Sequence, residues 1–223
     1  MSTEFTHQDR KSGIRNTVIV LVCIVLVLLG LFVNRVLQPR ILSTKEMVNN
    51  GAIMFSTPRE ISPFELIDKN GQPFGKPQLL GKWTFVFFGF THCPDICPIT
   101  LSLFNSLASS LEDSEFFDST AFLFVTLDPA RDDAATIKKY IEHFNPEFNG
   151  IGGDFVTTHR FARELNVAFQ KVVTDVESGD YSVDHSGNVV LINPQGHYHG
   201  FYKPPLDQNK MALTYKSLRM QHK

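Results

Sequence analysis

Cys93 and Cys97 are the residues of this sequence best suited to chemistry. They lie in the segment Cys-Pro-Asp-Ile-Cys-Pro, after an apolar run typical of a buried strand and before apolar residues at helical spacing. In open α/β sheets, ligands gather at the carboxyl ends of strands, so a site is expected here. Pro98 suits the first turn of a helix, because its missing N–H needs no partner there. A tight turn before it would bring both sulfurs within reach of one metal ion or of each other.

Several kinds of chemistry are open to this pair. A helix N-terminus nearby favours the thiolate form. Thiolates suit Cu(I), zinc or iron–sulfur clusters, but a cluster normally takes four cysteines and zinc takes four ligands, whereas copper accepts two thiolates and an imidazole. A dithiol redox pair is an alternative, although the spacing Cys-x-x-x-Cys is one residue wider than the usual Cys-x-x-Cys. A peroxidase is a weaker alternative, and two inert buried cysteines are disfavoured by the proline-rich turn.

Four histidines are candidates for a further metal ligand. His185 lies 88 positions after Cys97, and spacing alone cannot bring the two together. His92 adjoins the first cysteine, but neighbouring residues of an extended segment point apart, so it is disfavoured. His197 and His199 form a His-x-His pair near the end of a predicted strand, and we interpret them as a surface pair.

Other residues have predicted roles around the sulfurs. Asp128 ends a predicted strand on the same edge of the sheet, where it could orient His185 or tune the site. Asp132 is predicted to be a helix N-cap, and Asp95 to stabilise the N-terminus of the helix after the cysteines. Phe90 is predicted to be a core residue that could also limit access of water to the sulfurs.

The predicted elements place the cysteine turn in an α/β domain. Their order is strand, helix, strand, helix, then a hairpin and a helix, which predicts a thioredoxin-like fold. The predicted strands are 64–68, 83–90, 122–127, 182–185 and 188–192, the helices 99–111, 132–144, 157–165 and 205–218, and the loops 150–154 and 174–180. Ser186-Gly187 indicates a hairpin between the last two strands.

The N-terminal part predicts a membrane anchor. Arg15 and Arg35 bracket 19 uncharged positions, a stretch of roughly 28 Å as a helix. A cleaved signal peptide would have a shorter apolar region followed by an Ala-x-Ala-like site, and no such site follows this stretch. In an uncleaved anchor, Cys23 faces lipid and has no functional role. The predicted layout is a tail at 1–15, a transmembrane helix at 16–34, a polar tether at 35–59 and the thioredoxin-like domain at 60–223.

The net charge, the cysteine content and the N-terminal tail restrict which partners and which cellular compartment we expect. The net charge of −2 does not favour nucleic acid, and three cysteines are too few for a disulfide framework. Basic residues flank the anchor equally, so they leave its orientation open. The tail lacks an Arg-rich amphipathic presequence, so we expect a single-pass protein of the bacterial inner membrane with its domain in the periplasm.

Three segments of the chain resemble the Sco (SenC) family. Residues 88–98, Phe-Gly-Phe-Thr-His-Cys-Pro-Asp-Ile-Cys-Pro, match its cysteine motif. Residues 125–132 match its Asp-Pro-x-Arg-Asp segment, and residues 183–186 match the segment that carries a ligand histidine. The likeness runs from about residue 61 to residue 201, with Phe90 where the family often has Tyr and a glycine-rich segment at 150–153 as departures.

The resemblance implies a thioredoxin fold, with Cu(I) or Cu(II) bound by Cys93, Cys97 and His185. It also implies a role in building the binuclear copper centre of cytochrome c oxidase. The expected partners are the copper-site subunit of the oxidase and other periplasmic copper chaperones or thiol reductants. Some members of the family act on thiols rather than copper, so a reductase that works through a Cys93–Cys97 disulfide remains the alternative.

The anchor yields a direct test. If residues 16–34 cross a bilayer, the full-length protein should stay in the membrane fraction after an alkaline carbonate wash, because the apolar helix resists extraction. A reporter that works only in the periplasm should be active when fused to the C-terminus. Release by carbonate would contradict the anchor, and a reporter active only in the cytoplasm would contradict the orientation.

Overall fold

The computed structural model of the protein describes residues 5–37, 41–175 and 180–222. It divides into two compact units, residues 1–41 and residues 42–223. The first unit contains helix α1 (Phe5–Leu37). Within α1, Arg15–Val33 is the one stretch among the described residues long and apolar enough to cross a membrane. An N-terminal apolar helix is therefore present as a candidate anchor, while the limits 16–34 stay a prediction.

In the part of the second unit that the structure describes, five helices combine with ten strands. The helices are α2 (Thr44–Asn49), α3 (Ile96–Leu111), α4 (Ala134–Phe144), α5 (Phe155–Glu164) and α6 (Gln208–Gln221). The strands are β1 (Ala52–Glu60), β2 (Glu65–Asp68), β3 (Pro73–Gly75), β4 (Trp83–Gly89), β5 (Thr120–Thr126), β6 (Asn149–Gly152), β7 (Phe169–Val173), β8 (Tyr181–His185), β9 (Val189–Ile192) and β10 (His197–Tyr202). Short 3-10 turns cover Lys76–Leu79 and Phe117–Ser119.

Eight of the strands form one mixed sheet, in the order β1-β10-β9-β4-β5-β6-β2-β3, while β7 and β8 form a separate two-stranded sheet. The central strands β4, β5 and β6 are parallel, and the other pairs are antiparallel. In the register of β4 and β5, Trp83 lies opposite Thr120 and Gly89 opposite Thr126. Both strands therefore end at the same edge of the sheet, where the site lies.

The core explains why this central pair is stable. All seven residues of β4 are buried, as expected for a strand covered on both faces. Phe85, Phe87 and Phe88 are fully buried, and each contributes roughly 1.5–3 kcal/mol through burial. Helix α3 packs its apolar face against the core, with Phe104 and Leu107 fully buried. The α/β prediction is confirmed.

The predicted hairpin around Ser186-Gly187 is wrong. Strand β8 pairs with β7, whereas β9 lies between β10 and β4 in the main sheet. Ser186 and Gly187 therefore connect two sheets. Gly187 is required for packing, since a Cβ there would lie 2.5 Å from Cδ1 of Ile96.

The predicted loop at 150–154 is also wrong in part, because residues 149–152 form β6. Its glycines allow the strand to lie under α4. A Cβ on Gly152 would lie 2.7 Å from Cγ2 of Thr126 and 2.9 Å from Cδ1 of Ile137, and one on Gly150 would meet Ile137 as well. The loop predicted at 174–180 lies partly outside the described residues.

The tether predicted over 35–59 is too long at its C-terminal end. Helix α2 and most of β1 fall within it, and Leu42, Met47 and Ala52 are buried in the core of the second unit. Ser43 caps α2 in a capping box with Glu46. Residues 38–40 of the predicted tether lie outside the described residues.

His199 contradicts the interpretation of a surface pair. It is 3% exposed, and its ring lies 4.8 Å from that of Trp83 and 5.0 Å from that of His222. The register of β10 shifts between Tyr198 and Gly200, which breaks the simple alternation of faces. Burial is the larger cause and the nearby His222 the smaller one, and together they lower the pKa of His199 to about 4.

Because the pKa of His199 is lowered in the folded protein, we expect the free energy of unfolding to fall in weak acid. Below its unfolded pKa of about 6.5, the unfolded chain binds a proton that the folded chain does not. The contribution of neutral, buried His199 to the free energy of unfolding is therefore complete above about pH 6.5 and is lost as the pH falls toward 4. Urea unfolding of the full-length protein in detergent at about pH 7.5 and pH 5 should show this loss, and His199→Gln should reduce it. The control is His197→Gln, and an unchanged pH dependence in His199→Gln would contradict the prediction.

Candidate metal site

The two cysteines lie where β4 gives way to α3. Cys97 is buried in the first turn of α3, and Cys93 lies half-buried in the preceding loop. The strand can approach the sulfur closely because it ends in glycine: a Cβ on Gly89 would lie 2.7 Å from Sγ of Cys97. Asp95 occupies the N-cap position of α3 without a side-chain hydrogen bond to the helix.

A buried carboxylate holds the loop that leads into Cys93. Oδ2 of Asp132 accepts hydrogen bonds from the backbone N–H of Thr91 at 2.9 Å and the hydroxyl of Thr126 at 2.6 Å. Its Oδ1 accepts from the hydroxyl of Thr91 at 2.6 Å. The predicted N-cap role of Asp132 is therefore wrong, because α4 begins one residue later and Asp133 caps it through the N–H of Thr136 at 2.7 Å.

His185 is the last residue of β8 and lies beside the buried thiol. Its Nε2 is 3.7 Å from Sγ of Cys97, and its Nδ1 is 3.1 Å from the carbonyl oxygen of Ser186. A carbonyl only accepts hydrogen bonds, so we assign the proton to Nδ1, which leaves the lone pair of Nε2 facing the sulfur. Burial lowers the pKa of His185, which keeps the ring neutral at pH 7 as a metal ligand requires.

The structure brings all three predicted ligands together. Sγ of Cys93, Sγ of Cys97 and a nitrogen of His185 lie within 4.8 Å of one another. Metal–sulfur and metal–nitrogen bonds of about 2.3 and 2.0 Å put the donors of a trigonal ion about 4 Å apart. A slight closure would therefore let the three atoms share one ion. Two sulfurs and one imidazole form a soft donor set, which suits copper.

The electrostatics of Cys97 differ from the sequence-based expectation. Burial raises the pKa of its thiol far above the ordinary value, whereas the nearby helix N-terminus was expected to favour the thiolate. The sulfur lies between β4 and α3, where loss of water outweighs the helix dipole. A metal that binds here must displace the proton of this thiol.

Aromatic side chains close one side of the site, and the other side is open. The rings of Phe87 and Phe90 lie 5.9 and 6.1 Å from that of His185, both edge-on, and both phenylalanines are buried. The predicted position of Phe90 beside the site is thus confirmed. On the other side, a depression of about 340 Å³ is lined by His185, Ser186 and residues of β7, which gives access from solvent.

The remaining predicted residues lie around the site rather than in it. His92 is largely exposed, with Nδ1 3.1 Å from the hydroxyl of Thr91. Asp128 is buried, but it binds the hydroxyl of Tyr181 at 2.8 Å and the guanidinium of Arg131, and does not orient His185 directly. Tyr181 was missed, because nothing in its sequence neighbourhood distinguishes it.

Comparison with known proteins shows the family of the chain. The family model described as SCO1/SenC matches residues 55–219. A protein of Stutzerimonas stutzeri whose name proposes copper binding is 40% identical over 148 residues, or 66% of this chain and 71% of the relative. The mitochondrial SCO2 homolog of Danio rerio is 36% identical over 154 residues, or 69% of this chain. The match spans 55% of that relative's length.

Solved structures share the fold. The crystal structure of Arabidopsis thaliana ScoI with copper bound is 33% identical, with a TM-score of 0.65, and the match covers 71% of this chain and 98% of that one. Together with the mixed sheet described above, this confirms the predicted thioredoxin-like fold.

Gly89 gives a prediction about the site. In Gly89→Ala the new methyl group would push against Sγ of Cys97 and the ring of Phe124, so Cu(I) affinity should fall, with a stability loss of about 1–3 kcal/mol. Competition against a chromophoric Cu(I) chelator and urea unfolding would measure the two effects.

The matched control is Gly153→Ala, whose methyl group would meet Cδ2 of Leu66 at 2.9 Å, outside the site. It should lower stability and leave Cu(I) affinity unchanged. Equal losses of Cu(I) affinity in both variants would show that the effect is general rather than local to Cys97.

Proposed function

Because the chain belongs to the SCO1/SenC family, we propose that it binds one copper ion through Cys93, Cys97 and His185 and delivers it to the binuclear copper site of cytochrome c oxidase. One observation carries the proposal: Nε2 of His185 turns its lone pair toward Sγ of Cys97 at 3.7 Å, with the second sulfur within 4.8 Å. The copper-bound structures of relatives from Arabidopsis thaliana and yeast support copper as the metal.

The three ligands have different parts in this function. Two thiolates hold Cu(I), and the borderline imidazole adds affinity for Cu(II). Cys97 lies in the core and keeps its position, whereas Cys93 is only half-buried in the loop before α3. An incoming ligand of the acceptor can therefore replace Cys93 first, so that copper passes by ligand exchange without release into water.

The proposed partner is the copper-site subunit of cytochrome c oxidase, with other periplasmic copper chaperones or thiol reductants as further partners. A Sco protein of known structure, BsSco, is described as a member of a family of cytochrome c oxidase assembly proteins. We place this chain in the bacterial inner membrane as a single-pass protein, with α1 as the anchor and the second unit in the periplasm. The apolar stretch Arg15–Val33 supports that placement.

The second candidate function is a thiol–disulfide oxidoreductase. Both site cysteines are free thiols with sulfurs within 4.8 Å, so a small movement would allow a disulfide. The half-buried Cys93 would attack a partner disulfide, and Cys97 would then resolve the mixed disulfide. The partner would leave as a dithiol, and the site would be left as a disulfide.

Removal of the imidazole should separate the two functions. In His185→Ala, affinity for Cu(II) should fall far more than affinity for Cu(I), because two thiolates hold the softer ion without help. The Cys93–Cys97 disulfide should still form. Titration of the full-length protein in detergent, followed through the sulfur-to-copper absorption band, would measure Cu(II) binding, and chelator competition would measure Cu(I) binding.

A cellular experiment completes the test. A deletion strain complemented with each variant at low copper should lose cytochrome c oxidase activity with His185→Ala and with Cys93→Ser. His92→Ala is the matched control, since this histidine lies outside the ligand group, and it should rescue activity. Full rescue by His185→Ala would refute copper delivery and favour the thiol oxidoreductase.

A further inference from the structure

His185 stands on a strand that the main sheet does not hold. Among the described residues, β8 pairs with β7 alone, in the register that places His185 opposite Phe169. The sulfur ligands, by contrast, follow a central strand of the large sheet. The distance between imidazole and thiols therefore depends on contacts outside the sheet ladders.

At the C-terminal end of β8, backbone contacts fix the chain just after the ligand. The N–H of Ser186 donates to the carbonyl oxygen of Ala168 at 3.0 Å. Gly187 packs closely against Ile96, which lies between the two cysteines. These contacts hold the segment that leaves His185, but they leave the approach to it unexplained.

At the N-terminal end, Tyr181 ties β8 to the turn after β5. Its hydroxyl donates to Oδ1 of Asp128 at 2.8 Å, and its carbonyl oxygen accepts from Nη1 of Arg131 at 3.1 Å. The guanidinium carbon of Arg131 also lies 3.8 Å from the centroid of the tyrosine ring. Nε of Arg131 donates to Oδ2 of Asp128, so the three side chains form a closed network.

The same turn also holds the sulfur loop. Residues 128–132 end in Asp132, whose carboxylate binds the N–H and hydroxyl of Thr91 just before the first cysteine. The turn is closed by hydrogen bonds from the N–H groups of Arg131 and Asp132 to the carbonyl oxygen of Asp128. One short segment thus binds the cysteine loop at one end and the histidine strand at the other.

We propose that Tyr181, held by Asp128 and Arg131, is a positioning residue that sets the distance of His185 from the two thiols. The inference rests on the proposed copper site, because it concerns the ligand that Cu(II) needs more than Cu(I). Tyr181 touches neither the metal ligands nor the open side of the site in the contacts described. It acts through β8, by four residues of backbone that end at the imidazole.

The test compares Tyr181→Phe with Tyr202→Phe in the full-length protein. Tyr181→Phe removes the hydroxyl that binds Asp128, while the matched control removes a buried hydroxyl at the end of β10 that no described contact connects to the three ligands. Tyr181→Phe should lower Cu(II) affinity about tenfold, as loss of a partner that orients a ligand typically does, and change Cu(I) affinity less than about twofold. Tyr202→Phe should change neither affinity.

Two further measurements distinguish positioning from a general loss of stability. In the metal-free protein, Tyr181→Phe should speed hydrogen exchange at the amides of residues 183–185 and leave β9 unchanged. In the His185→Ala background, Tyr181→Phe should have no further effect on Cu(II), because the group through which it acts is gone. Additive losses in the double variant, or equal losses of Cu(I) and Cu(II) affinity in Tyr181→Phe, would overturn the inference.

Failure of the copper site itself would look different. If His185→Ala bound Cu(II) as tightly as the wild type, the proposed ligand set would be wrong, and this inference would fall with it. If His185→Ala lost Cu(II) while Tyr181→Phe behaved like Tyr202→Phe, the ligand set would stand and the positioning role alone would be refuted.

Discussion

The parallel pairing of β4 with β5 is the interaction on which the site depends. Its register brings Gly89 opposite Thr126, and the N–H of Leu127 donates to the carbonyl oxygen of Gly89 at 2.7 Å beyond the last pair. The cysteine loop leaves one strand there, and the turn at 128–132 leaves the other. A slip of one residue would move the buried phenylalanines of β4 to the opposite face, so core packing fixes where both loops begin.

Sequence patterns predicted the helices and strands whose apolar spacing and flanking residues lie within one short segment. The apolar run at 83–90 is typical of a buried strand, and the spacing after Pro98 indicated α3. The two misassigned connections share one cause, which is long-range packing and pairing. Ser186-Gly187 has the composition of a hairpin turn, yet β8 binds a strand that precedes it and β9 enters the main sheet. The glycines of β6 resemble a loop until α4 is known to pack on them.

The site was predictable to different depths. The two cysteines are four positions apart, so their spacing alone indicated that both sulfurs bind one metal ion or form a disulfide. His185 needed the family resemblance, since 88 residues separate it from Cys97, and their contact exists only in the fold. The contact between Asp128 and Tyr181 spans 53 positions and has no motif. The raised pKa of Cys97 was not predicted, because a sequence shows that a helix begins nearby but does not show the burial that outweighs the helix dipole.

The unequal exposure of the ligands fits the proposed transfer of copper better than it fits a resident metal centre. A structural site would enclose all its donors, but here Cys97 is buried, Cys93 is only half-buried, and His185 lines an open depression. The third ligand stands on a two-stranded sheet with its own ladder, joined to the core by the contacts of a few side chains. Such an element can loosen without disturbing β4 or β5, because small sheets open at lower free energy than a buried core. Under the proposed function, the fold would thus keep the sulfur of Cys97 fixed and leave the other two ligands free to yield copper.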